Sequence, residues 1–170
     1  VIDTRVCGVD PGLNTTGYAV LRVTGGALSV LDAGVCRFDA KLPLEKRLML
    51  IESDLSAVFA EYRPELVAVE QLYAHYKHPR TGILMGHARG VILLTAAKLG
   101  SRVESFAATQ IKRYLTGNGR ASKRQVQAAI KRLLNLDAIP EPPDLADAIA
   151  IALCAAGGLR NPHFTEAVFS

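Results

Sequence analysis

Cysteine is scarce in this chain. Cys7, Cys36 and Cys154 are the only three, each among apolar neighbours and none in a C-x-x-C pair. That excludes the spacing of a zinc or redox site, and buried free thiols in a reducing compartment are expected. Long hydrophobic runs are missing as well: the longest, Ala148 to Ala156, is too short to span a bilayer. No charged segment followed by an apolar stretch opens the sequence, so no secretory leader is indicated and a cytoplasmic location is expected. Internal repeats and low-complexity linkers are absent. Charge of one sign is in slight excess only, a net +4, which permits a nucleic-acid partner without demanding one.

What is present suits a globular α/β chain. At 170 residues and 49% hydrophobic content, a single domain over 1–170 is expected. Arg5–Asp10, Thr16–Val23 and Ala27–Phe38 read as an antiparallel meander, with Gly25-Gly26 as a hairpin connection. Pro43 opens a helix whose stripe is Leu44, Leu48, Ile51, Leu55, Val58 and Tyr62, ended by Arg63-Pro64. Glu65–Glu70 is a short buried strand, and a second helix runs from about Thr81 to Leu99 after a polar loop. That helix carries Gly82, Gly86 and Gly90 on one face. Each costs roughly 1 kcal/mol against alanine in a helix interior, so a close approach is expected in return, within the fold in preference to a subunit interface. Ser101–Phe106 is a further strand. Helical segments at Thr109–Leu115, Ser122–Leu134 and Pro143–Ala156 close the chain. The order predicts an α/β fold with a mixed sheet.

Two strands end on a carboxylate. Asp10 closes the first and runs into Pro11-Gly12; Glu70 closes Leu66-Val67-Ala68-Val69. Asp-Pro-Gly is also good turn chemistry, so Asp10 by itself has two readings. A right-handed crossover through the first helix would set the two strands parallel and both acids at one carboxyl edge, where open α/β sheets place ligands. Asp144 and Asp147 lie three apart at the start of the last helix. They have a capping and dipole reading, yet Asp147 stands in an Ala/Leu/Ile run where a lone charge is costly. Four converging carboxylates repel one another and raise each other's pKa values. A divalent cation removes that conflict, and all-oxygen ligation favours magnesium or manganese. Two such ions suit phosphodiester cleavage.

Gly8-Val9-Asp10-Pro11-Gly12 with Thr16-Gly17-Tyr18, then Val69-Glu70-Gln71, Gly86-His87-Ala88-Arg89-Gly90 and Asp144-Leu145-Ala146-Asp147-Ala148, resemble the RuvC family in order and spacing. These are Holliday-junction resolvases of ribonuclease H-like fold. The resemblance implies a five-stranded mixed sheet flanked by helices and a homodimeric, magnesium-dependent endonuclease that resolves four-way junctions by paired nicks, leaving 5′-phosphates. It also implies two ions per site held by Asp10, Glu70, Asp144 and Asp147, and partnership with a branch-migration helicase complex, RuvA and RuvB.

On the same resemblance Tyr73 takes the place of an aromatic that contacts bases, and a loop aromatic beside an acidic site is a stacking platform. A tyrosine lidding the core is the other reading. This loop is one residue longer than the family pattern and also holds His75, Tyr76, Lys77, His78 and Arg80. Lys112 and Lys123 match two family lysines near the scissile phosphate, and are read as catalytic and DNA-binding. From Lys112 to Arg132 stand Lys112, Arg113, Arg120, Lys123, Arg124, Lys131 and Arg132 with no acid among them. A solvated helix face is the bland reading; phosphate contact is favoured for Lys112, Arg113, Arg120, Lys123 and Arg124. Gly117 and Gly119 suggest a flexible turn presenting them. Three rivals remain open: a related nuclease acting on another substrate such as precursor ribosomal RNA, a sugar-kinase or actin-like ATPase, and a catalytically dead DNA-binding module. The ATPase needs a second lobe and a Gly-rich nucleotide loop that the sequence does not offer.

Overall fold

The computed structural model describes residues 3–72 and 79–160. The meander forms as β1 (Asp3–Asp10), β2 (Thr15–Thr24) and β3 (Ala27–Arg37), with antiparallel pairing throughout. Then follow α1 (Leu44–Tyr62), β4 (Leu66–Glu70), α2 (Pro79–Lys98), β5 (Arg102–Phe106), α3 (Ala108–Thr116), α4 (Lys123–Leu133) and α5 (Pro143–Arg160). The sheet order is β3-β2-β1-β4-β5, and β4 runs parallel to both β1 and β5. The five-stranded mixed sheet expected from the sequence is therefore present.

Strand alternation splits the core in two. Val6, Ala19, Leu21, Leu66, Ala68 and Phe106 turn to the face covered by α3, α4 and α5. Cys7, Val9, Val20, Val67 and Val69 turn to the face covered by α1 and α2. All three cysteines are buried and free. The central helix α5 is buried on nearly all sides from Ala146 to Ala156, which is why its sequence is apolar all round.

Glycine decides how near α5 lies to the sheet. A Cβ at Gly8 would strike the Ala148 carbonyl and the Ala152 backbone, and one at Gly17 would strike the Asp144 carbonyl. Only a missing side chain lets this helix sit directly on β1 and β2. At the far end α5 continues past Ala156, where the sequence reading stopped it; Gly157 lies under the Tyr114 ring, again with no room for a Cβ.

The α1 stripe packs as expected, Leu44, Leu48, Val58 and Tyr62 against a core that holds Ile51 and Leu55, and buried Phe59 joins it. Two local expectations need correction. The turn after α3 is built and bonded: Gly117 takes the left-handed cap at φ 77°, the Asn118 N–H donates to Thr116 Oγ1, and the Arg120 N–H donates to Asn118 Oδ1. Among the described residues, Gly86 and Gly90 of α2 do not serve packing: a Cβ at Gly90 would meet nothing within 4 Å, and one at Gly86 only the tip of Leu72 at 4.0 Å. Their face instead exposes Ile83 (65%) and Leu94 (54%).

Candidate active site

Parity puts the strand-end acids together. Asp10 follows Val6 and Gly8 on the α5 side of β1, and Glu70 follows Leu66 and Ala68 on the same side of β4. Val9 is in register with Val69, so the two carboxylates emerge side by side at the carboxyl edge. Asp10 is also in register with Gly17, the residue on which the Asp144 carbonyl rests. The first turn of α5 is thereby pinned beside Asp10, and it brings Asp144 and Asp147 with it.

The electrostatics reflect that crowding. Burial pushes the Asp10 carboxyl up to about 8, helped by the charges of Asp147, Glu70 and Asp144 and opposed by Lys123. Burial also raises Glu70, with Asp147 adding to it and Lys112 opposing. Asp147 is raised by burial against the pull of Lys123, whose Nζ lies 3.5 Å from its Oδ2. The charges of Glu70, Asp144 and Asp147 thus all bear on Asp10. Among the described residues, however, no three Asp, Glu, His or Cys side chains are already gathered into a closed ligand group.

The hydrogen bonds of the turn after Asp10 come from other residues. Buried Thr16 closes it, its hydroxyl donating to the Gly12 carbonyl at 2.6 Å and accepting from the Gly12 N–H at 3.4 Å. Gly12 has no space for a Cβ against the Thr15 carbonyl. In the double reading of Asp-Pro-Gly, the bonds that close the turn are those of Gly12 and Thr16.

A cavity of about 260 Å³ opens beside the acids. Glu70, Asp147, Lys112 and Lys123 all line it, Lys123 paired with Asp147, and Ile111, Val126 and Ile151 are among its apolar lining. Lys112 comes from α3 and Lys123 from the first residue of α4, which is capped by Ser122 Oγ accepting from the Gln125 N–H at 3.3 Å. Arg113, Arg120 and Arg124 are exposed on α3, the following turn and α4, outside the lining of this cavity. Arg80 begins the exposed start of α2. Tyr73, His75, Tyr76, Lys77 and His78 lie outside the described residues.

Sequence reading missed the supports of this edge. Arg89 of α2 donates from Nε to the Glu70 carbonyl at 3.1 Å, and Arg47 of α1 donates to Asn14 Oδ1, just beyond the Asp10 turn, at 3.2 Å. The Gly-x-x-x-Gly stretch around Arg89 was visible, but an arginine bonding a backbone carbonyl leaves no spacing signal.

A meander joined to a parallel pair, with carboxylates at the edge of its two central strands and a buried helix across them, defines an α/β protein of the ribonuclease H-like class. Comparison with known proteins narrows this. The family model of the crossover junction endodeoxyribonuclease RuvC matches residues 6–155. The RuvC of Rhodopirellula baltica is 52% identical over 157 residues, 92% of this chain and 88% of that protein. That of Heliobacterium modesticaldum is 44% identical, over 91% and 94% of the two chains. The structure of Thermus thermophilus RuvC in complex with a Holliday junction substrate superposes with a TM-score of 0.87 at 33% identity, covering 92% of this chain and 95% of that one. The yeast mitochondrial Holliday junction resolvase, at 14% identity and a TM-score of 0.66, shares the fold. This chain belongs to the RuvC family of crossover junction endodeoxyribonucleases.

Proposed function

We propose that this protein resolves four-way DNA junctions by paired, metal-dependent nicks, with Asp10, Glu70, Asp144 and Asp147 as the metal ligands. The observation that carries the reading is the gathering of carboxylates at one sheet edge, where the charges of Glu70, Asp144 and Asp147 all bear on Asp10. Their donor set is all oxygen and anionic, the chemistry that suits magnesium, or manganese, over softer metals. Like charges do not close up unaided, and an ion between them is what would draw them in. A pair of such ions would supply an activated water and stabilise the leaving oxygen of the phosphodiester.

The chain's own groups do the rest. Lys112 and Lys123 line the same cavity as Glu70 and Asp147 and would meet the charge of the scissile phosphate. Arg113, Arg120 and Arg124 extend that positive surface along the DNA backbone, where contacts position without reading sequence. Tyr73 is proposed to stack on a base near the crossover, and rests on family membership alone. So do a cytoplasmic location, a single domain over the whole chain and cooperation with a branch-migration helicase. Homodimerisation has separate support in the exposed Ile83, Gly86, Gly90 and Leu94 face of α2.

The test is cleavage of a synthetic four-way junction, a matching duplex and a structured RNA, each with and without magnesium. Magnesium-dependent, symmetric nicking of the junction alone is expected. Preference for the RNA would instead favour a processing nuclease of the same fold.

A further inference from the structure

Arg89 has an unusual set of partners for a buried-side arginine. It is half-buried on α2, between buried Ala88 and exposed Gly90. Among the described residues no carboxylate pairs with it. Its Nε donates to the backbone carbonyl of Glu70 at 3.1 Å, and its Nη2 to Ser105 Oγ at 2.5 Å. One rigid, planar fork therefore ties α2 to the ends of β4 and β5 at once.

The place matters because β4 is only five residues long and Glu70 is its last. Past it the sheet holds on by one backbone bond, Gln71 N–H to the Phe106 carbonyl at 2.9 Å, and a long 3.4 Å contact from Gln71 Nε2 to the Ser105 carbonyl. A carboxylate at a strand end swings with every fraying motion of that end. Arg89 fixes the peptide from which the Glu70 side chain departs. It leaves the carboxylate itself alone: the charges acting on that group are those of Asp147 and Lys112.

We propose that Arg89 is a positioning residue, which sets the Glu70 carboxylate for metal binding by clamping its carbonyl to Ser105 of the neighbouring strand. This rests on the assignment of Glu70 as a ligand. Groups that orient a ligand without touching the metal commonly change affinity about tenfold or more when removed. Arg89→Met removes both bonds; Arg89→Lys keeps the charge but cannot span two acceptors in fixed geometry; Ser105→Ala removes one arm.

The experiment titrates magnesium chloride against junction cleavage by the full chain, alongside junction binding without added divalent ion. Arg89→Met is expected to raise the half-saturating magnesium concentration about tenfold, with junction binding unchanged. Arg89→Lys should fall between it and the parent, and Ser105→Ala should give a smaller shift in the same direction. A merely structural arginine would lower the melting temperature without moving the magnesium midpoint. The parental midpoint in Arg89→Met overturns the proposal; if that variant does not fold, the parental midpoint in both Arg89→Lys and Ser105→Ala does so. Glu70→Gln, assayed in parallel, separates the failures: full cleavage there removes the ligand assignment itself.

Discussion

Asp10 carries a burden that its neighbours on β1 do not. Its carboxyl is raised to about 8 in the fold from an ordinary value of 3.8. Between those values the folded chain holds a proton that the unfolded chain gives up, so stability without metal falls as pH rises across that window. Glu70 and Asp147, also raised, push the same way. Thermal unfolding in EDTA should therefore show a lower melting temperature at pH 8 than at pH 5. Magnesium should recover the difference at pH 8. Asp10→Asn should abolish cleavage yet melt higher than the parent at pH 8 in EDTA, by about 2–4 °C for each kcal/mol of relief. A lower melting temperature in that variant would return Asp10 to a structural role in its turn. The lysines carry a different signature. Lys112→Ala and Lys123→Ala should weaken junction binding for any sequence and flatten the log–log salt dependence by roughly one unit each. Slopes equal to the parent's would put both side chains away from phosphate.

At the level of elements, the site is an outcome of how α5 lands on the sheet. Gly17→Ala would push a methyl group into the Asp144 carbonyl. The expected cost is about 1–3 kcal/mol of stability, together with a loss of activity greater than the stability change explains, because both α5 acids shift with the helix. A melting temperature and a cleavage rate both near the parent's would show that α5 can retreat without harm. The same contact marks what the sequence could say. The apolar strands ending on Asp10 and Glu70 were legible, since alternation and a crossover fix their face and edge. Helix α5 was legible from its Ala/Leu/Ile run. That Gly8 and Gly17 receive a helix backbone was not, because a glycine in a strand names no neighbour. Nor was the persistence of α5 through Gly157-Gly158, since the Tyr114 ring that fills the gap comes from α3. The bonds of Arg89 and Arg47 were invisible for a related reason, although Arg89 itself stood in a legible motif: their partners are a backbone carbonyl and a loop amide, distant in sequence and without pattern.

For the whole molecule, the proposed mechanism gives one nick per carboxylate edge and chain, whereas a four-way junction has near two-fold symmetry and needs two at matching positions. An isologous pair of chains supplies the second edge in the right relation. The face of α2 is the surface suited to that pairing: Gly90 opens to free space, Gly86 nearly so, and Ile83 and Leu94 stand exposed beside them. Glycine there costs roughly 1 kcal/mol of helix stability, and none of the described residues uses the space gained at Gly90. Gly90→Ala should accordingly favour the isolated helix while weakening association, seen in sedimentation as a higher dimer dissociation constant. Mixing parent chains with Asp10→Asn chains then tests the consequence for function. Heterodimers should nick one strand and leave the junction unresolved, so that resolved product falls with the square of the parent fraction while single nicks persist. A monomer both free and on DNA, or resolution that falls only linearly with that fraction, would sink the paired-site mechanism.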